Sequence, residues 1–325
     1  MLGVDVGKAE LHGTWRDPVT QKVRWQGVVP NTEAGIRQLL RRVPETPVVV
    51  EPTGRYGELL VRAVTAAGRT ALLAPPRKAK AFLWVEQPRA KTDRVDSAGL
   101  ALYGLSGRLR PYILPSETVD QTRQLLAARR GLSQSLTALR QQRDALPRAA
   151  DALTPAITAL EQQVKALDRQ LKQAVKPAPE LATAVTRLDE VPGFGLVSAT
   201  AVAACLTEKG FTHPDQFVAY VGLDIRVHQS GKRNGKFGLS KYGDAELRRL
   251  LYLAALGATR CAKDRTFAER YTREQAKGLT KTAALNAIAR KLARLAWSLV
   301  THRTTYDPKR VESQPLSKKT LDTQT

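Results

Sequence analysis

Two short apolar runs decide the fold of this chain: Leu2-Gly3-Val4-Asp5-Val6 and Pro47-Val48-Val49-Val50-Glu51. A continuous run of apolar, β-branched residues is typical of a strand that is buried on both faces of a sheet. Each run also carries one carboxylate, Asp5 inside the first and Glu51 at the end of the second. An isolated buried carboxylate costs several kcal/mol, so we expect a cationic group to bind both.

A second pair of carboxylates, Asp93 and Asp96, lies in Lys91-Thr92-Asp93-Arg94-Val95-Asp96. On a helix, residues three apart share one face. Divalent metals commonly compensate buried carboxylates, and paired metals drive phosphodiester chemistry. We therefore predict that these two residues, with Asp5 and Glu51, bind Mg²⁺ or Mn²⁺. A structural role stays open for the second pair, since acidic residues are favoured at helix N-termini.

The composition indicates a polyanionic partner. The 325 residues include 52 Lys+Arg against 30 Asp+Glu, a formal net charge of +22. Such an excess repels itself unless a polyanion binds, which predicts nucleic acid. We expect no membrane association, since no apolar run has the length of a spanning helix and no signal peptide precedes the first strand. Cys205 and Cys261 are predicted to be buried thiols in a reducing prokaryotic cytoplasm, near the nucleoid, and the scattered histidines argue against a zinc site.

The order of predicted elements over residues 1–110 indicates an α/β fold. We predict strands at 2–6, 11–16, 22–29, 47–51 and 70–74. We also predict one helix capped by Asn31 or Thr32, and two more over 57–67 and 94–109. That order resembles the RNase H-like fold, whose first strand is central. There, carboxylates on strands one and four face each other beside the last helix. This interpretation rests on analogy of element order.

Residues 111–179 are predicted to form a helical, coiled-coil connector. Its apolar seam repeats in steps of four and three residues: Leu153, Ile157, Leu160, Val164, Leu167 and Leu171. Pro147 and Pro155 are expected to break or start helices, which gives a helical hairpin. Two interpretations stay open, an antiparallel pair within one chain and a dimerising coiled coil; a single seam favours some intermolecular role.

Residues 180–306 are predicted to form a mostly α-helical domain, with long helices near 244–260 and 280–301. The polar residues 307–325 that follow are predicted to be a disordered tail. Its segment Val191-Pro192-Gly193-Phe194-Gly195 resembles the turn of a helix-hairpin-helix module. We expect Gly193 and Gly195 to let the backbone approach a phosphate, and the alternative is an ordinary glycine turn.

A basic, glycine-rich stretch over residues 226–243 offers two candidate nucleophiles, Ser230 and Ser240. A serine hydroxyl attacks poorly unless its proton is removed or cations stabilise the charge that develops. The residues alone do not choose between these serines, and they favour a phosphate-binding loop without covalent chemistry. The cations expected to contact nucleic acid here are Lys232, Arg233, Lys236 and Lys241.

The ordered motifs resemble a family of DEDD-type insertion-sequence transposases whose recombinases are guided by a bridge RNA. The motifs are Gly3-Val4-Asp5-Val6-Gly7-Lys8, Glu51-Pro52-Thr53-Gly54-Arg55-Tyr56, Lys91-Thr92-Asp93-Arg94-Val95-Asp96-Ser97, Val191-Pro192-Gly193-Phe194-Gly195, Val221-Gly222-Leu223, Gln229-Ser230-Gly231 and Ser240-Lys241-Tyr242-Gly243. The resemblance runs from about residue 2 to residue 300. The family more often has alanine where Pro52 stands, which bears on the loop beside Glu51.

The resemblance implies a RuvC-like amino-terminal domain whose DEDD set, with bound Mg²⁺, is Asp5, Glu51, Asp93 and Asp96. It implies a carboxy-terminal transposase domain in which Ser230 forms a covalent phosphoserine with DNA. The implied partners are donor and target DNA, a non-coding bridge RNA that pairs with both, and further copies of the chain. Dimers of dimers are expected, with one subunit's acidic set beside another's serine. Two rival functions stay open, a metal-dependent junction nuclease that uses water and a non-catalytic nucleic-acid-binding protein.

Overall fold

The computed structural model describes residues 1–51, 55–86, 92–226, 229–230, 233–234 and 238–313. The chain divides into two compact units, Met1–Leu114 and Pro115–Thr325. The first unit contains, in order, β1 (Leu2–Val6), β2 (Glu10–Arg16), β3 (Val23–Pro30), α1 (Glu33–Arg41), β4 (Val48–Val50), α2 (Arg55–Ala66), β5 (Ala71–Leu73), α3 (Pro76–Glu86) and α4 (Asp93–Leu105).

The strands of the first unit form one mixed sheet in the order β3-β2-β1-β4-β5. β1 pairs antiparallel with β2 and parallel with β4, and β4 pairs parallel with β5. The predicted central position of the first strand is therefore confirmed, as are the five predicted strands within one or two residues.

The structure differs from the prediction for this unit in two helices. Helix α3 is absent from the prediction because Pro75-Pro76 is typical of a helix break. A proline nevertheless suits the first turn of a helix, where Pro76 lies. Helix α4 ends at Leu105 rather than at residue 109. Gly107 follows with a φ of +68°, a left-handed conformation that commonly ends helices.

Side chains that alternate along the strands build a separate core on each face of the sheet. The valines of β4 show this division: Val48 and Val50 pack on one side with α1 and α2, and Val49 packs on the other with α4. On the α4 side, the rings of Phe82 and Tyr103 stack with their centroids 4.8 Å apart. Covering both faces explains why these strands are almost continuously apolar.

Gly3 allows α4 to lie directly against the central strand. A Cβ atom on Gly3 would overlap the carbonyl oxygen of Ser97 and the amide nitrogen of Ala101, both backbone atoms of α4. Backbone atoms cannot turn aside as a flexible side chain can, so only glycine fits at this position.

We expect Gly3→Ala to destabilise the protein by about 1–3 kcal/mol, because the added methyl group forces α4 away from the sheet. Urea unfolding of the full chain measures this. Gly131→Ala is the matched control, since Gly131 lies within α5 (Glu117–Ala145) with open space around it. That change should stabilise the helix by about 0.5–1 kcal/mol. Equal effects of the two substitutions would contradict the close packing at Gly3.

The second unit is mostly helical. After α5 its elements are a 3₁₀ turn (Pro147–Ala149), α6 (Ala150–Ala174), α7 (Pro179–Asp189), α8 (Leu196–Lys209), α9 (Pro214–Tyr220), β6 (Ile225–Arg226), β7 (Gln229–Ser230), β8 (Arg233–Asn234), β9 (Gly238–Leu239), α10 (Ala245–Ala258), α11 (Thr266–Ala276), α12 (Lys281–Thr301) and α13 (Pro308–Ser313). None of the helices in the described part of the chain combines the length and apolarity that a bilayer span requires.

Helices α5 and α6 form the predicted helical hairpin, joined by ion pairs such as Arg140 to Glu161 at 2.6 Å. Of the seam on α6, Ile157 and Leu171 are buried and the other four residues are half-buried. Pairing within one chain is thus observed, whereas the intermolecular role stays a prediction. Pro155 neither starts nor breaks a helix but lies inside α6.

Three further predictions for the second unit need correction. Helix α11 was not predicted. Residues 308–313 form a helix where a disordered tail was predicted, with the Asp307 carboxylate accepting a hydrogen bond from the Lys309 amide at 3.0 Å; residues 314–325 lie outside the described residues. Cys205 is buried as predicted, but Cys261 is only half-buried. The two long helices begin where expected, capped by Asp244 and Thr280.

Candidate active site

Asp5 and Glu51 follow equivalent positions on two adjacent parallel strands. Val4 of β1 pairs with Val50 of β4, and each carboxylate is the next residue along its strand. Side chains alternate, so Asp5 shares the sheet face of Gly3, the face that α4 covers. Glu51 is the first residue after β4, which ends at Val50, and it is half-buried. The pairing of Val4 with Val50 thus brings both residues to the same end of two adjacent strands.

Asp93 and Asp96 lie in the first turn of α4, as the sequence predicts. The helix begins there because the Thr92 hydroxyl accepts a hydrogen bond from the Val95 amide at 3.3 Å. The Asp93 side chain is 66% exposed, whereas Asp96 is half-buried. Because α4 lies directly on Gly3, its acidic first turn faces the strand that carries Asp5.

The electrostatics of Asp5 reflect both its burial and the charges of Asp93 and Asp96. Burial raises the pKa of Asp5 above its ordinary value, and the negative charges of Asp93 and Asp96 raise it further, while His12 and the Val6 amide lower it. Carboxylates that repel one another in a partly buried site favour a bound cation.

Hard carboxylate oxygens are the donors that Mg²⁺ and Mn²⁺ prefer, so Asp5, Glu51, Asp93 and Asp96 fit such an ion by chemistry. Within the described residues, however, no group of three or more His, Cys, Asp or Glu side chains is close enough to hold a metal as it stands. The fold therefore brings Asp93 and Asp96 near Asp5 without closing a coordination shell, and the metal site of all four carboxylates stays a prediction.

His12 belongs to this site, although the sequence did not indicate it. It pairs with Asp5 across β1 and β2, and its Nε2 lies 3.5 Å from an Asp93 carboxylate oxygen. Side chains alternate between the two faces of the sheet along β2, so His12 lies on the opposite face from the buried Leu11. That pattern gives its face, but the register that places it opposite Asp5 appears only in the structure.

A small polar network fixes the first turn of α4 on the sheet. The hydroxyl groups of Thr14 and Ser97, both fully buried, lie 2.8 Å apart. The Gln26 side-chain amide donates to the Thr14 hydroxyl at 2.8 Å and to the Arg94 carbonyl at 2.9 Å. Because buried polar groups are costly when unpaired, this network holds the acidic turn in one position.

The backbone of Ser230 lies in a β-hairpin of the second unit. β6 pairs antiparallel with β9, and within that hairpin Ser230 pairs with Arg233. Gly231 and Lys232, the two residues between that pair, lie outside the described residues, as does Lys236. Ser230 is thus in the last described pair of the hairpin. Its role as nucleophile and the nucleic-acid contacts of these cations stay predictions.

Ser240 has a structural role at the base of this hairpin. It is 7% exposed, and its hydroxyl donates to the Asp224 carboxylate and accepts from the Tyr242 amide at 3.3 Å. Its own amide donates to the Asp224 carbonyl at 2.8 Å. The next residue, Lys241, is exposed and adopts a φ of +54°. A buried hydroxyl held on two sides is poorly placed to attack a DNA phosphate.

The glycines of the predicted phosphate-binding turn have local explanations. Gly193 adopts a φ of +89°, and a Cβ there would overlap the Ala254 carbonyl and the Ala258 amide of α10. Glycine is thus required at 193 by helix packing. The Gly195 amide donates to the Ser198 hydroxyl at 3.0 Å. Phosphate contact at these two residues stays a prediction.

Comparison with known protein families gives matches to both units. Residues 2–149 match a family model described as a transposase, of the DEDD type of IS110. Residues 185–272 match a second model, described as a transposase of the IS116/IS110/IS902 family. The two matches include every residue of the acidic set as well as Ser230.

Individual relatives carry similar descriptions. A probable family 20 transposase of Pseudomonas aeruginosa is 36% identical over 129 residues, which is 38% of this chain and 37% of that protein. The transposase for insertion sequence element IS1111A of Coxiella burnetii is 32% identical, over 37% of this chain and 34% of that protein. The matched segments thus span about a third of those two relatives. A pilin gene-inverting protein of Moraxella lacunata is 24% identical over 94% of this chain and 97% of its own length.

Proposed function

Because this chain belongs to the IS110-type family of DEDD transposases, we propose that it is a recombinase that cuts and rejoins the DNA of an insertion sequence. The observation that carries this proposal is the convergence of Asp5 with Asp93 and Asp96 at the central strand of a mixed sheet. An RNase H-like fold for the first unit is part of the proposal, supported by the strand order and the family match.

The acidic set would hold a divalent ion. Asp5 and Glu51 would supply ligands from the sheet, and Asp93 and Asp96 from the first turn of α4. A divalent ion held there would stabilise the negative charge that develops on a scissile phosphate and its leaving oxygen. The chain's own contribution is orientation, because the network of Thr14, Gln26 and Ser97 fixes the turn that carries two of the four carboxylates.

Ser230 is the proposed nucleophile. Its hydroxyl oxygen forms a bond to a DNA phosphorus while the bond from that phosphorus to one sugar oxygen breaks. The serine proton leaves to solvent, and the departing sugar oxygen takes up a proton to become a free hydroxyl group. Attack by the hydroxyl of another strand reverses these changes and releases the serine. The number of phosphate ester bonds is conserved, so rejoining needs no external energy source.

The proposed partners follow from the family and the charge. Donor and target DNA are the substrates, and a non-coding bridge RNA is proposed to choose both by base pairing. The four half-buried residues of the α6 seam are proposed to support a dimer or tetramer, in which one subunit's acidic set meets another's serine.

A plasmid recombination assay tests the proposed function. Plasmids with the element's joined ends and a target would be incubated with the chain, Mg²⁺ and the flanking RNA. Recombinant junctions that need the RNA and are lost with EDTA support the proposal. Cut but unjoined DNA supports a metal nuclease, and binding without any strand breakage supports a non-catalytic binding protein.

Thermal unfolding tests Mg²⁺ binding at the acidic set without relying on recombination activity. We expect Mg²⁺ to stabilise the wild-type chain, by about 2.7 kcal/mol at a hundred times its Kd. Asp5→Asn should melt higher than wild type without metal, because it removes a carboxylate whose charge is disfavoured by burial and by its neighbours. The same variant should lose most of the Mg²⁺ effect.

Glu10→Gln is the matched control, since Glu10 is an exposed carboxylate at the start of β2. It should keep the full Mg²⁺ effect. Differential scanning fluorimetry measures all three proteins in parallel. An unchanged Mg²⁺ response in Asp5→Asn would show that the ion binds elsewhere.

A further inference from the structure

A group of cations on α11 and α12 is a feature that the acidic site and the hairpin serine do not explain. Its centre is Lys291, which is 8% exposed although lysine is among the residues that proteins rarely bury. Arg270 of α11 and Arg294 of α12 are half-buried and lie close enough to act on it electrostatically. Three positive charges therefore share one partly desolvated region.

Carboxylates also lie in this region, and one of them already pairs with Arg294 of the cation group. Asp215 of α9 accepts hydrogen bonds from Arg294 at 2.7 and 2.9 Å. Glu274 of α11 pairs with Lys277 at 3.1 Å. Within the described residues, no carboxylate pairs with the Lys291 ammonium group. A desolvated charge without a partner is destabilising, so the region is suited to an incoming anion.

The charge state of Lys291 agrees with this geometry. Burial lowers its pKa from 10.5 to about 8, and the positive charges of Arg270 and Arg294 contribute to the lowering. Burial likewise lowers the pKa of Arg270. An anion placed among these groups would offset the lost hydration of the Lys291 ammonium group and reduce its repulsion by the two arginines.

The position of the group relates it to the hairpin that carries Ser230. Arg290, next to Lys291 on α12, donates from its Nε to the Leu223 carbonyl at 3.1 Å. Leu223 lies two residues before β6, the first strand of the hairpin. Helix α12 is therefore tied directly to the base of the element on which the proposed nucleophile lies.

We propose that Lys291 and Arg270 form an anion site that binds one backbone phosphate of the DNA substrate near the Ser230 hairpin, with Arg294 held beside them by Asp215. This inference rests on the proposed function, since DNA is the substrate named there. Phosphate contacts position a nucleic acid without reading its sequence. The site thus fixes the DNA strand relative to the hairpin, while base pairing chooses the sequence.

DNA binding by Lys291→Met tests the site. Methionine keeps an unbranched apolar stem and removes only the charge. We expect the variant to bind a short fluorescein-labelled DNA duplex about tenfold more weakly, with the slope of log affinity against log salt reduced by about one. Without DNA it should melt several degrees higher than wild type, because an uncompensated buried charge is gone.

The gain in melting temperature should shrink between pH 8 and pH 10.5. Over that range the folded wild-type chain loses the Lys291 proton while the unfolded chain keeps it, so wild-type stability rises with pH. The opposed signs, higher stability with weaker binding, separate an anion site from a purely structural lysine, whose removal would lower stability.

Two further variants complete the test. Arg270→Gln, on the other helix, should also weaken DNA binding and reduce the salt slope. Lys281→Met makes the same substitution at an exposed position of α12 and should change neither stability nor affinity by much. Unchanged affinity and slope in Lys291→Met would overturn the site, as would a loss confined to an RNA duplex. Failure of the wild-type chain itself to bind DNA would instead refute the proposed function.

Discussion

Asp5→Asn is expected to lower the recombination rate by about a thousandfold or more, equivalent to about 4 kcal/mol in the activation barrier. Asparagine has nearly the same shape but lacks the negative charge that would hold the divalent ion. Asp5 lies on the central strand, and its raised pKa shows that it shares a field with Asp93 and Asp96. Its loss should therefore disable the whole acidic set, and the rate of junction formation under single-turnover conditions measures the effect.

Two controls make that result specific. Glu10→Gln removes an exposed carboxylate from the neighbouring strand and should leave the rate within about twofold, as expected for an exposed surface residue. DNA binding by Asp5→Asn should stay close to wild type, because backbone contacts come from Lys and Arg residues. An Asp5→Asn variant that recombines at the wild-type rate would remove the acidic set from the mechanism.

The second large effect is expected at Ser230. Ser230→Ala should abolish both recombination and any protein–DNA adduct, since alanine has no oxygen to bond to phosphorus. Nucleic-acid binding should persist, and so should the melting temperature. Denaturing gels with end-labelled DNA measure the adduct, which migrates with the protein only when a covalent bond exists.

Ser240→Ala is the informative comparison. It removes the hydroxyl that joins the Asp224 carboxylate to the Tyr242 amide, so we expect a loss of about 1–3 kcal/mol in stability. The adduct should still form at temperatures where the variant is folded. If Ser240→Ala lost the adduct and Ser230→Ala kept it, the two serines would have to exchange roles.

Much of the first unit could be predicted because its buried strands are recognisable as short apolar runs in the sequence. The valines of β4 and the apolar run of β1 read as buried strands without any knowledge of their neighbours. Thr32 caps α1 as predicted, and α4 begins at Asp93, one residue before its predicted start. Asp5 and Glu51 were found because charges are rare in apolar runs, and Asp93 and Asp96 because residues three apart share one face of a helix.

Features that depend on distant partners could not be predicted. The membership of His12 in the site depends on strand register, and the buried bond of Ser240 depends on Asp224, sixteen residues earlier. Gly193 reads as a phosphate-binding glycine, yet its close contact is with α10, some sixty residues later. Helix α3 lacks a strong apolar period, so the chain gives little local sign of it.

If recombination passes through a bond between Ser230 and DNA, the covalent adduct can be trapped and its mass measured. The wild-type chain, Mg²⁺ and flanking RNA would be incubated with a substrate nicked near the cleavage site, so that the released strand diffuses away and rejoining stops. Digestion and mass spectrometry would then locate the modified peptide. We expect a nucleotide remnant on Ser230. Cleaved DNA with free ends and no modified peptide, or a remnant on another residue, would contradict it.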